Sequence, residues 1–280
     1  MFYARSGRFK LLCFERAICM GVIVAIVNQK GGVGKTTTAM NIAAYLTNAE
    51  KKCLLVDLDP QANATSGMGL NPTEIEHGTY EALVGMVQAS SAIRIIEPYG
   101  IHLLPATIAL AGASVELVSI DEREFQLLKA IQPLTDAYDY IFIDCPPSLG
   151  LLTLNGLVAS DHVLIPVQAE YFALEGIGQL METINLVKQH LKPNLSILGA
   201  IITMYDKRYK LSVSVLQELY RHFPQKIFRT VIPRSVRLAE APSHGKSILH
   251  YDPESRGGKA YERFAKELLA SLQSDAALTP

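Results

Sequence analysis

Between Lys30 and Thr36 the chain reads Lys-Gly-Gly-Val-Gly-Lys-Thr, directly after the apolar run Val22-Ile-Val-Ala-Ile-Val27. Gly31, Gly32 and Gly34 let a backbone approach an anion closely and point successive N–H groups at it, with a helix N-terminus following. Lys35 supplies a point charge suited to β/γ-phosphates, and the Thr36 hydroxyl has the chemistry of a Mg²⁺ ligand. Three acids end apolar runs elsewhere: Asp57 and Asp59 follow Cys53-Leu-Leu-Val56, and Asp144 follows Tyr140-Ile-Phe-Ile143. Phosphoryl transfer needs chiefly positioning and charge neutralisation, which such a loop and such acids supply together.

The loop departs from the ordinary phosphate-binding pattern in one respect. That pattern wants glycine five residues before Gly34, and position 29 is Gln. An additional lysine, Lys30, stands at the loop's start instead. It is poorly placed to serve its own γ-phosphate and is in reach of a nucleotide held by a facing copy of the chain.

These residues need a scaffold that brings strand ends together. Continuous apolar strands are expected at Val22–Val27, Cys53–Asp57, Ile101–Leu104, Tyr140–Asp144, His162–Val167 and Leu195–Thr203, the mark of strands buried on both faces. Helical spacing predicts helices over Thr36–Asn48, Leu174–His190, Ser212–Phe223 and Ser255–Leu272, and the Gly-, Pro- and Asn-rich stretch Asp59–Pro72 reads as loop. Alternating strands and helices predict a single α/β domain: a doubly wound, mostly parallel sheet with helices on both faces. In such a sheet the carboxyl ends of the strands share an edge, so Asp57, Asp59 and Asp144 converge on the phosphate loop. Asp144 then suits a role holding Mg²⁺ through water. Pro146-Pro147 stiffens a loop placed to sense a γ-phosphate.

Composition excludes several classes. Of 280 residues, 49% are hydrophobic and 19% charged, so the chain can bury a large core. The four cysteines lack metal spacing and fit free thiols in a reducing compartment. The longest apolar runs are about eleven residues, short of the ~20 that span a bilayer. Residues 1–19 form a basic extension, with Arg5, Arg8, Lys10 and Arg16 ahead of the run Ala17–Val27. This imitates a secretory signal, but no small-x-small site follows, and cleavage after the run would remove the strand that supports the loop. An unstructured extension and an upstream start, with translation beginning at Met20, both fit. Residues 20–273 are taken as the domain and 274–280 as a tail.

The net charge of −1 hides a segregation. From Lys207 to Lys246 nine basic residues face two acids, a net +7, which leaves −8 for the remainder. A concentrated basic region attracts a phosphate backbone without reading sequence, and its binding weakens steeply with salt.

Lys30–Thr36, Asp57-Leu-Asp-Pro-Gln61 and Ile143-Asp-Cys-Pro-Pro147 together resemble the P-loop NTPases of deviant Walker A type, and most closely the ParA/Soj DNA-partition ATPases. Thr203-Met-Tyr-Asp206 and the run Ile232–Gly245 match as well, so the resemblance spans about Val22 to Leu272. It implies ATP and Mg²⁺ as cofactors, held by Lys30, Gly31, Gly32, Val33, Gly34, Lys35, Thr36 and Thr37. Asp144 takes the Walker B position. Asp59 matches the family's acid that orients the attacking water and stands beside the metal with Thr36 and Asp144. Thr203, Pro233 and Arg234 flank the adenine. Lys30, Lys35 and Asp59 are the expected catalytic residues. Arg208 and Arg237 match DNA-contacting arginines, with Arg221 and Lys226 as further contributors. The resemblance further implies an ATP-dependent homodimer on non-specific double-stranded DNA, a ParB-like partner that stimulates hydrolysis, and a cytoplasmic, nucleoid-associated protein.

Three rivals share the motif. A MinD-like membrane ATPase would end in a basic amphipathic helix lying on lipid. Here Tyr261, Phe264, Ala265, Leu268, Leu269 and Leu272 form a stripe better suited to docking on the core, and no stable membrane association is expected. An electron-transfer ATPase needs two suitably placed cysteines, and Cys145 alone does not supply them. An ATP-dependent small-molecule enzyme on the same fold is the third.

Overall fold

The apolar runs become the strands of one sheet. In the computed structural model, which describes residues 21–170, 173–223 and 226–276, they are Val22–Ile26 (β1), Cys53–Asp57 (β2), Arg94–Ile96 (β3), Ile101–Leu104 (β4), Tyr140–Asp144 (β5), His162–Gln168 (β6), Ser196–Tyr205 (β7) and Ile227–Pro233 (β8). Their spatial order is β3-β4-β2-β5-β1-β6-β7-β8. Every pairing is parallel except β3 with β4, an antiparallel edge. From β1 the chain first winds outward to β2 and β4, then returns through β5 and crosses to β6. The reversal opens a crevice beyond the carboxyl end of β1, the place where doubly wound sheets take ligands.

Alternation along each strand divides the core in two. Ala25, Val56, Ile143 and Ile165 face the helices Leu151–Ala159 (α2) and Ala173–His190 (α3). Val24, Ile26, Leu55 and Phe142 face the helix that follows the loop, Lys35–Asn48, labelled α1, and the last helix, Arg256–Ala276. Lys210–His222 (α4) joins β7 to β8, so the last helix is α5. Cys53 and Cys145 are buried free thiols. Cys13, Cys19, the basic extension and the end of the tail lie outside the described residues.

The apolar stripe of α5 docks on the core, as its spacing predicts: Tyr261, Phe264, Ala265, Leu268 and Leu272 are buried. The Tyr261 hydroxyl meets Thr38 of α1 at 3.0 Å, and Tyr45 donates to the Gly258 carbonyl at 2.8 Å. Phe264 packs edge-on to Phe228 of β8. Glu267 accepts from Arg229 N and Thr230 N at 2.7 and 3.0 Å, so α5 also covers an open edge of the sheet. Among the described residues no helix is long and apolar enough to cross a membrane.

Several elements differ from expectation. The stretch Asp59–Pro72 contains a short helix, Asn63–Gly67. The edge strands β3 and β8 and the helix α2 have no sequence signal strong enough to separate them from their surroundings. Gly156 explains the seat of α2: a Cβ there would stand 2.7 Å from Cys145 Sγ, so only glycine lets this helix lie against the end of β5.

Candidate functional site

The loop between β1 and α1 takes the shape its glycines allow. Gly32 and Gly34 have φ of 75° and 89°, a left-handed conformation that side chains resist. Gly31 does not share that conformation; its use is space, since a Cβ at Gly31 or Gly32 would meet no protein atom. Gly34 is also the residue from which α1 starts, and neither it nor any acid in the first turn supplies a side-chain cap. The amide groups there remain available to an anion.

Lys35 is 7% exposed, and its ammonium donates to the Lys30 carbonyl at 3.1 Å, curling back over the loop. Burial lowers its pKa, while Asp144 and Asp59 pull the other way. Val33 is buried, and its carbonyl accepts from the Thr203 hydroxyl at 2.7 Å. Thr203 therefore braces the loop from β7 in addition to lining a cavity. Asn28 clips the loop's other side, donating to the Pro166 carbonyl at 2.7 Å and accepting from Lys30 N at 2.9 Å.

The three acids meet at the expected edge, and their surroundings separate their roles. Asp57 and Asp144 are Cα partners on β2 and β5, and both are fully buried. Asp57 is saturated: it accepts from Thr65 N and Thr65 Oγ1 at 2.8 and 2.7 Å and from Asp59 N at 3.2 Å. It shapes the Asp59 turn. Among the described residues, neither carboxylate oxygen of Asp144 has a hydrogen-bond partner. Burial, then the Asp57 charge, raises its pKa well above the ordinary value, against a pull from Thr36 and Lys35. A buried carboxylate without donors is costly unless a proton or a cation satisfies it. The neighbouring Thr36 hydroxyl and Lys35 make a hydrated Mg²⁺ with bound phosphate the natural occupant, and the donor set is all oxygen, as that ion requires. Asp59, 6% exposed, takes Gln61 N at 2.9 Å and lines the same cavity.

That cavity measures about 700 Å³ and runs from Gly31 and Lys35 past Asp59 and Pro147 to Pro242 and Ser243. A smaller one of about 200 Å³ adjoins it, sharing Gly34, Thr37 and Met204, and is lined by Thr203, Pro233, Arg234 and Tyr261. Thus Gly31, Gly32, Gly34, Lys35, Thr36, Thr37, Asp59, Thr203, Pro233 and Arg234 all line one or other of these two adjoining cavities. Met204 and the Pro242–Ser243 roof lie in runs that match the family, but the sequence assigns them no role. Met204 carries no polar group and is marked only by its positive φ of 51°.

Lys30 does not point into this space. Its ammonium pairs with Glu170 at 3.1 Å. Cys145 is buried against Gly156, as a packing residue rather than a ligand.

The basic region resolves into two ends of the sheet. Arg208, Arg234 and Arg237 follow the carboxyl ends of β7 and β8, on the nucleotide edge. Arg221, in the last turn of α4, and Lys226, before β8, lie at the opposite edge. Lys226 sits over the Phe228 ring at 5.0 Å and bonds to the Ser271 hydroxyl. A count along the chain merges two groups that parallel strands hold apart. Arg208 is gripped by Asp206 through contacts of 2.6 to 3.1 Å, and Arg237 by Glu240 and Asp252 at 3.0 and 3.4 Å.

A glycine cradle at a helix start, a buried lysine and a buried carboxylate without hydrogen-bond partners define a P-loop nucleotide-binding domain on a doubly wound sheet. A family model described as an AAA domain matches residues 21–197. The sporulation initiation inhibitor protein Soj of Bacillus subtilis is 52% identical over 90% of this chain and all of its own length. The chromosome partitioning protein ParA of Myxococcus xanthus is 50% identical over 89% of this chain and 88% of its own. The chain belongs to the Soj/ParA family of chromosome-partitioning P-loop ATPases. Among solved structures, a cobyrinic acid a,c-diamide synthase from Mycobacterium smegmatis, with a bound ATP analogue and magnesium, superposes with a TM-score of 0.82. It is 39% identical, over 91% of this chain and 97% of its own. A putative plasmid partition protein of Borrelia burgdorferi bound to AMPPNP gives 0.74 at 27% identity, over 91% of this chain and 99% of its own.

Proposed function

We propose that this chain is an ATP-driven switch that binds DNA non-specifically as a two-subunit assembly and lets go on hydrolysis. The observation that carries the reading is Asp144: a fully buried carboxylate whose oxygens make no hydrogen bond of ordinary geometry among the described residues, with the Thr36 hydroxyl and the Lys35 ammonium acting on it. The larger cavity takes the triphosphate, and the smaller one, between Pro233, Arg234 and Met204, takes the adenine.

The residues divide the chemistry. The loop amides and Lys35 bind and orient the phosphates. Thr36 and Asp144, with Asp59 beside them, hold Mg²⁺. When bound, that ion neutralises charge developing on the phosphate oxygens. Asp59 orients the attacking water, and the turn that Asp57 shapes keeps it there. Lys30 serves the nucleotide of a facing subunit. Pro147, at the cavity wall, puts the loop after β5 against the terminal phosphate. Arg208 and Arg237 meet phosphate of the DNA backbone, which displaces Asp206, Glu240 and Asp252 from them. A ParB-like partner accelerates the step, in keeping with the relatives' role in chromosome partitioning, and the protein works in the cytoplasm on the nucleoid.

The solved relative named as a diamide synthase motivates a second reading, an ATP-dependent small-molecule enzyme on the same domain. Against it, the 52% relative is a sporulation initiation inhibitor of the partition family, matched over its whole length.

The test is DNA binding with MgADP and with MgATP across a salt series, for wild type and Lys30→Ala. The reading expects tight, salt-sensitive binding with MgATP alone, lost in the variant. Equal binding in both nucleotide states would overturn it.

A further inference from the structure

Glu170 lies just beyond β6, where no motif of the phosphate loop reaches, yet three donors converge on its carboxylate. Lys30 Nζ stands 3.1 Å from one oxygen. Gln168 Nε2 donates to the other at 2.5 Å, and Arg234 Nη2 stands 3.8 Å from the same oxygen. Lys30 begins the phosphate loop and Arg234 borders the smaller cavity, so one carboxylate ties together both ends of the nucleotide site.

We propose that Glu170 is a positioning residue for Lys30, holding it within its own subunit until the triphosphate of a second subunit takes it. This rests on the cross-subunit role given to Lys30 above.

The surroundings fit a holder that releases. Asn28 fixes the Lys30 backbone through the Pro166 carbonyl, so the side chain alone has to move. Gln29 is confined as well: a Cβ on Gly176 of α3 would stand 3.3 Å from Gln29 Nε2. The Lys30 and Glu170 side chains are 36% and 44% exposed, so the pair is half in water and exchangeable. A triphosphate carries several charges against the single one of a carboxylate. When Lys30 leaves, Gln168 and Arg234 remain on Glu170, so the acid is not left uncompensated.

The size of the effect follows. A partly exposed pair lowers the fraction of subunits with a free Lys30 about two- to fivefold. A symmetric assembly must release two lysines, so the dimer dissociation constant carries the square, about four- to twenty-five-fold.

The experiment measures the dimer dissociation constant in saturating MgATP by light scattering for wild type, Glu170→Gln, Glu170→Ala and Lys30→Ala. A parallel titration measures nucleotide affinity of the single subunit. Both Glu170 variants are expected to dimerise about four- to twenty-five-fold more tightly, a gain larger than any change in single-subunit nucleotide affinity from the freed Arg234, and the gain shrinks at high salt. Glu170→Ala covers the case in which the Glu170→Gln amide still accepts from Lys30. Dimerisation equal to or weaker than wild type in the folded Glu170→Ala variant overturns the proposal. If instead Lys30→Ala dimerises like wild type, the cross-subunit role itself fails, and the two failures are told apart in one series.

Discussion

Asp57 and Asp144 are register partners on adjacent parallel strands, both fully buried, and of the two it is Asp57 whose carboxylate accepts hydrogen bonds of ordinary geometry from the described residues. Identical residues at the same depth are thereby separated into an acid saturated with donors and an acid whose oxygens have no such partners. Thr65 makes the difference, with its amide and hydroxyl both given to Asp57 and none to Asp144.

Burial lifts Asp57 to about 6 and Asp144 well above the ordinary carboxylate value. A folded-state pKa above the unfolded one gives stability that is full below the unfolded value, near 4, and is lost as pH rises through the folded one. Without Mg²⁺, the protein should lose stability as pH rises from about 4 through about 6, the Asp57 value, with the Asp144 contribution lost at higher pH still. Asp144→Asn should flatten that slope and melt higher at pH 8 by roughly 2–6 °C, while hydrolysis is lost. Calorimetry across pH decides, and a variant less stable at pH 8 contradicts the reading of Asp144.

Asp59→Ala should leave nucleotide binding intact and slow turnover by about 10²-fold or more, so that the ATP-bound dimer persists. Single-turnover hydrolysis with dimer lifetime checks this; wild-type turnover would remove Asp59 from the chemistry.

Lys35→Ala should lose nucleotide binding while the fold survives, because in the free subunit its ammonium bonds to a loop carbonyl rather than to the core. Calorimetric titration with MgATP, beside a melting curve, reads both effects.

Arg208→Glu with Arg237→Glu should abolish ATP-dependent DNA binding, whereas Arg221→Ala should weaken it far less, because Arg221 lies at the other edge of the sheet. The slope of log affinity against log salt should fall by about 0.9 for each DNA phosphate no longer neutralised. Equal weakening in both variants would restore a single continuous patch.

Tyr261→Phe should cost about 1 kcal/mol, since it leaves the fully buried Thr38 hydroxyl without its partner. Chemical denaturation measures it. Tyr261→Ala should cost about 3–5 kcal/mol by opening a cavity under α5.

Much of the architecture is written locally. Cys53–Asp57 and Tyr140–Asp144 are strands to the residue, because a β-branched or aliphatic run ending on an acid has little else to become. The phosphate loop and its acids are equally legible, being short motifs whose spacing is their chemistry. β8 escapes a sequence reading because its burial is patchy and its partner β7 lies across α4. Glu170 escapes it for a related reason: an isolated acid carries no spacing, and its partner Lys30 is 140 positions away. The basic count is one-dimensional: Arg208, Arg234 and Arg237 lie at the carboxyl edge of the sheet, and Arg221 and Lys226, between them in sequence, at the other.

The bond between Thr38 and Tyr261 has a consequence for synthesis. The loop that grips the nucleotide sits on a helix braced by a segment the ribosome makes far later. A nascent chain short of Tyr261 leaves one flank of that helix wet. A chain that ends before Tyr261 is therefore expected to hold the helix beneath the phosphate loop less firmly than the finished polypeptide does.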